Sequence, residues 1–109
     1  MAYDLGLAED VRAHIGTRAD VTEKTMFGGL AFLIGGNMAV GVNGADLMVR
    51  VGKDDHEEAI ARPGARTMDF TGRPMEGWVV VAPEGTSNDA ALEAWIEQGI
   101  AFAAGLPPK

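Results

Sequence analysis

The amino-acid sequence predicts an α+β fold in one domain, residues 1–109. Three observations carry this. Apolar residues recur at helical spacing near both ends of the chain. They alternate with a period of two through the middle. Glycines punctuate the alternating part. Strands joined by short turns pair antiparallel, and helices beside such a run must cover a sheet face. The expected order is helix, antiparallel meander of three or four strands, helix, two further strands, C-terminal helix.

The first helix is expected over Asp4 to Gly16. Leu7, Val11 and Ile15 repeat every four residues with Ala8 beside them, while Glu9, Asp10 and Arg12 take the other side. Gly16 or Thr17 ends it. From Val21 the period changes to two. In "GLAFLIG", Leu30, Phe32 and Ile34 share one face and Ala31 and Leu33 the other. In "NMAVGVN", Met38, Val40 and Val42 oppose Ala39 and Gly41. In "DLMVRVG", Leu47, Val49 and Val51 oppose Met48 and Arg50.

The segment Met26 to Gly44 holds six of the fifteen glycines. A phosphate loop would need G-x-G-x-x-G opening a helix, or a terminal Gly-Lys-Ser/Thr. These glycines mostly come in pairs, no Lys-Ser/Thr follows, and strands lie on both sides. They read as turns. Gly35-Gly36 supplies positive φ between two strands, and Asn43-Gly44 is the dipeptide of a type I′ hairpin. Gly28-Gly29 reads as a turn or bulge, and Gly41 as a bulge or a place of close overhead packing.

After Gly52, "KDDHEEAIARPG" reads as a short helix capped by Asp54 or Asp55 and stopped at Pro63-Gly64. "ARTMDF" reads as a strand, "TGRP" as a turn, and "GWVVVAP" as a strand with Trp78, Val80 and Ala82 opposite Val79 and Val81. The last helix is expected from Ala90 to Ala104. Leu92, Trp95, Ile96, Gly99, Phe102, Ala103 and Leu106 follow its apolar stripe, and Gly105 and Pro107-Pro108 end it.

Cysteine is absent, which excludes disulfides, thiolate catalysis and cysteine-ligated metals. The formal charge is −7. It falls to −3 over residues 1–49 (three basic, six acidic), zero over 50–75 (five of each) and −4 over 76–109 (one basic, five acidic). No segment has the basic footprint that phosphate neutralisation demands, so direct nucleic-acid binding is not expected. No apolar run approaches the ~20 residues of a membrane span, and residues 1–11, without a basic start or an apolar signal core, lead to the expectation of no export. A cytoplasmic protein is expected.

Several stretches together resemble the TfoX N-terminal domain-like family. They are "MFGGLAF" at Met26 to Phe32, "GNMAVGV" at Gly36 to Val42, "LMVRVG" at Leu47 to Gly52, "MDFTGRPMEGWVVV" at Met68 to Val81, and the tail "LPPK". The resemblance runs along nearly the whole chain. It implies a two-layer α+β architecture similar to secretion-chaperone-like and YjbR-like domains. The name-giving members regulate natural competence for DNA uptake and carry a second, C-terminal domain. This sequence stops at Lys109, so a second domain, and with it the competence role of the name-giving members, is not expected. The resemblance brings no catalytic residues with it.

The residues themselves offer few sites. Arg50 lies mid-strand opposite an apolar face, so it is either paired or free for a carboxylate or phosphate fork. Arg73 sits in a loop, where Asp69 or Glu76 would pair with it or where it would meet a ligand or partner. Arg50, Arg73 and Asp69 are therefore the candidate ligand- or partner-binding residues. His14 reads as a boundary residue of the first helix. His56, among Asp54, Asp55, Glu57 and Glu58, reads as part of a solvated face, without the spacing of a metal site. Ser87 reads as a helix cap. Trp78 and Trp95 read as core or interface anchors. Methionines 26, 38, 48, 68 and 75 read as adaptable packing in the sheet, or as a binding surface.

No nucleophile and base stand together, and neither a cofactor nor a metal is expected. The reading is a non-catalytic interaction or regulatory module, acting as a homodimer with an unidentified protein partner. With Leu30, Phe32 and Ile34 facing the helices, Leu33, Met48, Val79 and Val81 are the candidate interface on the opposite face. The alternative is a small-ligand binder or enzyme with a pocket near Arg50 and Arg73. By family analogy, a third is an accessory role in DNA uptake or transcription regulation.

Overall fold

The computed structural model describes residues 3–16, 20–26, 28–70 and 72–108. The elements are α1 (Leu5–Ile15), β1 (Val21–Met26), β2 (Gly29–Ile34), β3 (Asn37–Asn43), β4 (Asp46–Arg50), α2 (His56–Ile60), β5 (Ala65–Phe70), β6 (Arg73–Val81) and α3 (Asp89–Ala104). The order is the one expected, with α+β architecture. All six strands form one antiparallel sheet in the order β1-β2-β3-β4-β6-β5.

The helix ends follow from local chemistry. Asp4 caps α1, its carboxylate accepting from the Leu7 N–H at 3.1 Å. Gly16 closes α1 with φ 64° and donates its N–H to Arg12 O at 2.8 Å. Asn88, not Ser87, caps α3 through a 2.8 Å bond from Ala91 N–H. The Ser87 hydroxyl instead donates to Glu84 O at 3.4 Å. Arg12 clips α1 to β1 through Glu23, with Nη2 to Oε1 at 2.8 Å and Nε to Oε2 at 3.0 Å. Both side chains are about two-fifths exposed, so the pair contributes little stability.

The turns bear out the structural reading of the glycines. Gly35 and Gly36 make the two-residue β2–β3 loop with φ 58° and 84°. The β3–β4 loop sits one residue on from the expected place. Asn43 pairs with Asp46, so its central residues are Gly44 and Ala45, with Gly44 at φ 58°. Gly41 is a packing glycine. A Cβ there would lie 2.6 Å from Met38 Cε and 2.8 Å from Met48 Cε.

One core fills the space between the helices and one face of the sheet. From the helices it takes Ala8, Val11, Ile15, Ala59, Leu92, Trp95, Ile96, Ile100 and Ala103. From the sheet it takes Leu30, Phe32, Ile34, Val40, Val42, Leu47, Val49, Val79 and Val81, with Ala39 and Val51. Gly99 lets α3 lie directly on β3, since a Cβ there would be 2.5 Å from Ala39 O and 2.7 Å from Val40 Cγ1.

Two expectations about faces need correction. Val79 and Val81 are 0% exposed and belong to the helix-side core, not to the far face. Register explains why: they pair with Val49 and Leu47, and cross-strand partners share a face. Their neighbours Trp78 and Val80 point away from the helices. Met38 also changes side. Phe32 pairs with Val40 but Leu33 with Met38, leaving Ala39 as an extra residue in β3. Such a bulge lets Ala39 and Val40 both enter the core and turns Met38 outward.

Candidate functional site

The three helices share one face of the sheet. The other face bears Leu33, Met38, Met48, Met68, Met75, Trp78 and Val80 by register. Met48 and Met68 are each only 4% exposed and form the floor, while Leu33, Met38, Met75, Trp78 and Val80 are half-buried around them. Of the candidate interface residues, Leu33 and Met48 lie here; Val79 and Val81 do not.

Among the described residues two grooves mark this face. One, of about 210 Å³, has Met48, Met68 and Val80 among its lining residues, with Asp46, Arg66 and Asp69 as its charged groups. Arg66 Nη2 reaches Asp46 Oδ2 at 3.3 Å. Asp69 is exposed beside them, opposite Pro74 in the register.

The second groove, of about 320 Å³, lies where β4 ends, and is lined by Arg50, Gly52, Lys53, Glu76, Gly77, Trp78 and Phe102. Arg50 Cζ stands 5.0 Å from the centre of the Trp78 ring and 5.6 Å from that of Phe102. These are cation–π distances. Arg50 makes no ion pair or hydrogen bond among the described residues. Phe102 can reach the groove because Gly52, at φ 85°, has no side chain; a Cβ there would run into the Phe102 ring.

The two candidate arginines are not brought into one pocket. Arg73 is exposed at the start of β6, paired in register with Phe70, and does not line the groove of Arg50. Neither Asp69 nor Glu76 forms an ion pair with it.

His56 departs most from expectation. It is 5% exposed rather than on a solvated face. Its Nδ1 accepts from the Gly77 N–H at 2.9 Å, and its Nε2 lies 2.9 Å from Thr67 Oγ1. A backbone N–H can only donate, so Nδ1 is unprotonated and the neutral ring carries its proton on Nε2, towards Thr67. The bond holds a bulge in β6: Thr67 pairs with Val79 but Met68 with Met75, leaving Glu76, Gly77 and Trp78 without partners in β5. The bulge forms one wall of the Arg50 groove. A sequence signal existed, since His56, Ala59 and Ile60 have the i, i+3, i+4 spacing of a buried stripe.

Arg62 was not singled out by the sequence, yet it stacks on Trp95 with Cζ 3.4 Å from the ring centre and donates to Gln98 Oε1 at 2.7 Å. Burial holds its guanidinium below the usual arginine value, against the opposing pull of Glu58. His14, as expected of a boundary residue, is half-buried with Nδ1 3.7 Å from Glu93 Oε2. Among the described residues no three His, Asp or Glu gather as a metal site, and no helix is long and apolar enough to cross a membrane.

No curated protein and no solved structure matches this chain. The family model of the TfoX N-terminal domain matches residues 13–103, from α1 to the last turn of α3. The match takes in both grooves and the whole sheet, and the chain belongs to the TfoX N-terminal domain family.

Proposed function

We propose that the protein is a non-catalytic interaction module of regulatory type, acting as a homodimer through the sheet face that no helix covers. One observation carries the reading. That face is floored by methionines and ringed by half-buried apolar side chains. Methionine is adaptable at contact surfaces, and a continuous apolar face on a small domain marks an interface.

The charges beside this face favour a second copy as the partner. The groove with Asp46, Asp69 and Arg66 carries one net negative charge, and the groove with Arg50, Lys53 and Glu76 one net positive charge. Asp46, Met48 and Arg50 alternate along β4 on one face, acidic at one end, apolar in the middle and basic at the other. A two-fold axis near Met48 brings each end over its opposite, as an isologous contact requires. Sedimentation equilibrium at micromolar concentration tests this. A mass of twice 11.4 kDa supports it, and a mass of 11.4 kDa at every concentration overturns it.

A further inference from the structure

We propose that the groove at the end of β4 is a binding site for a small organic carboxylate, held by Arg50 and Lys53 against the rings of Trp78 and Phe102. The argument begins with a contrast inside the molecule. Among the described residues two arginines stack on tryptophans. Arg62, on Trp95, delivers an N–H to Gln98 at 2.7 Å and acts as a structural strut. Arg50, on Trp78 and Phe102, delivers none to any described residue. A guanidinium donates in its own plane, so ring contacts orient it without consuming its donors. No buried side-chain nitrogen or oxygen lacks a hydrogen-bond partner among the described residues, so the free donors of Arg50 are open to solvent or to a ligand. Two rings hold the fork in place at little further entropic cost, a feature of a preorganised anion site.

The groove is built rather than incidental. Gly52 at φ 85° admits the Phe102 ring, and Gly77 at φ 93° admits the close approach of the Gly52–Lys53 backbone. The Val51 and Gly52 N–H groups both donate to Gly77 O, at 2.9 and 3.1 Å, and the Gly77 N–H is spent on His56. These backbone groups are therefore occupied, which leaves the side chains of Arg50 and Lys53 as the groove's cationic donors. Its volume of about 320 Å³ is at the small end of ligand pockets. Two cations and Glu76 leave one net positive charge. That balance suits a single carboxylate better than a phosphate dianion, and the two rings suit an apolar or aromatic body behind it.

Benzoate is the probe, and the two indole N–H resonances are the readout. Trp95 is 1% exposed and serves as the internal control. Benzoate is expected to shift the Trp78 resonance with saturation at a dissociation constant of about 1 mM or tighter, while Trp95 stays in place. Arg50→Lys keeps the charge but loses the fork, and is expected to weaken binding by about tenfold. Lys53→Gln, at an exposed position, weakens it less. Inorganic phosphate is expected to bind more weakly than benzoate, and tighter phosphate binding overturns the carboxylate assignment. An unmoved Trp78, equal movement of both indoles, or unchanged affinity in Arg50→Lys overturns the site itself. Should Arg50→Lys lose the native Trp95 signal, Lys53→Gln decides, and unchanged affinity there is equally fatal. The dimer would set the same Arg50 over the partner's acidic groove. Benzoate is therefore titrated against Leu33→Asp, whose charge on the helix-free face keeps the chain monomeric, as well as against the wild type. Mass by sedimentation is the separate readout that distinguishes failure of the dimer from failure of this site.

Discussion

The Nδ1 atom of His56 accepts a 2.9 Å hydrogen bond from the backbone N–H of Gly77, twenty-one residues away in the chain. The bond ties α2 to the bulge in β6. Replacing the ring with an apolar one leaves a buried N–H without an acceptor, which costs about 1–3 kcal/mol. His56→Phe is expected to lower the urea midpoint accordingly and to perturb the Trp78 resonance at the bulge. Nitrogen NMR of the wild type should show the proton on Nε2. A proton on Nδ1, or an unchanged midpoint in the variant, would contradict the assignment.

Trp95 is among the largest fully buried side chains, and it carries the stacked guanidinium of Arg62. Trp95→Ala is expected to cost about 3–5 kcal/mol through lost burial and the cavity left behind. Chemical denaturation measures it. An unchanged midpoint would mean that α3 does not pack as described.

Adjacent residues of β6 separate interface from core. Val80→Asp and Leu33→Asp place a charge on the helix-free face and are expected to leave the fold intact while halving the sedimentation mass. Val81→Asp places the same charge in the core, where it is expected to unfold the chain. If Val80→Asp unfolds the protein as Val81→Asp does, the outer face is not available for docking.

Gly44 has φ 58° and open space where a Cβ would point. Gly44→Val therefore meets backbone strain and no clash, at about 1–2 kcal/mol. Thermal denaturation checks this. The same assay with ATP, GTP or NAD is expected to leave the wild-type midpoint unmoved, because the glycines are corners of hairpins and not a phosphate cradle.

Much of the fold is legible in the residues. The alternation in "GLAFLIG" and "DLMVRVG" places Leu30, Phe32, Ile34, Leu47, Val49 and Val51 on a common side, and all six are in the core. Alternation cannot say which of two apolar faces the helices will choose, and that choice sets Val79 and Val81 inside. The bulges at Ala39 and at Glu76–Trp78 are also hidden, because each is a slip of register against its hairpin partner that the period-two pattern of one strand does not record. At the candidate sites, Arg50 was readable as a charge on an apolar strand, and its exposure to a groove fits that reading. Its aromatic neighbour Phe102 was not, since it comes from a helix half the chain away. Arg73 shows the opposite case: a loop position suggested convergence with Arg50, but the groove at Arg50 does not include it.

The strand order has a kinetic consequence. β1 to β4 are joined by short turns and can zip as successive local hairpins. The β4–β6 pair must instead close a loop from Arg50 to Trp78 around α2 and β5. Loop-closure entropy must be met before that pairing returns any burial. Closing this seam is therefore expected to limit the folding rate, with Val49 and Val79 formed in the transition state and the β1 edge joining later. Conservative truncations such as Val79→Ala should then slow folding, whereas Val21→Ala should mainly speed unfolding.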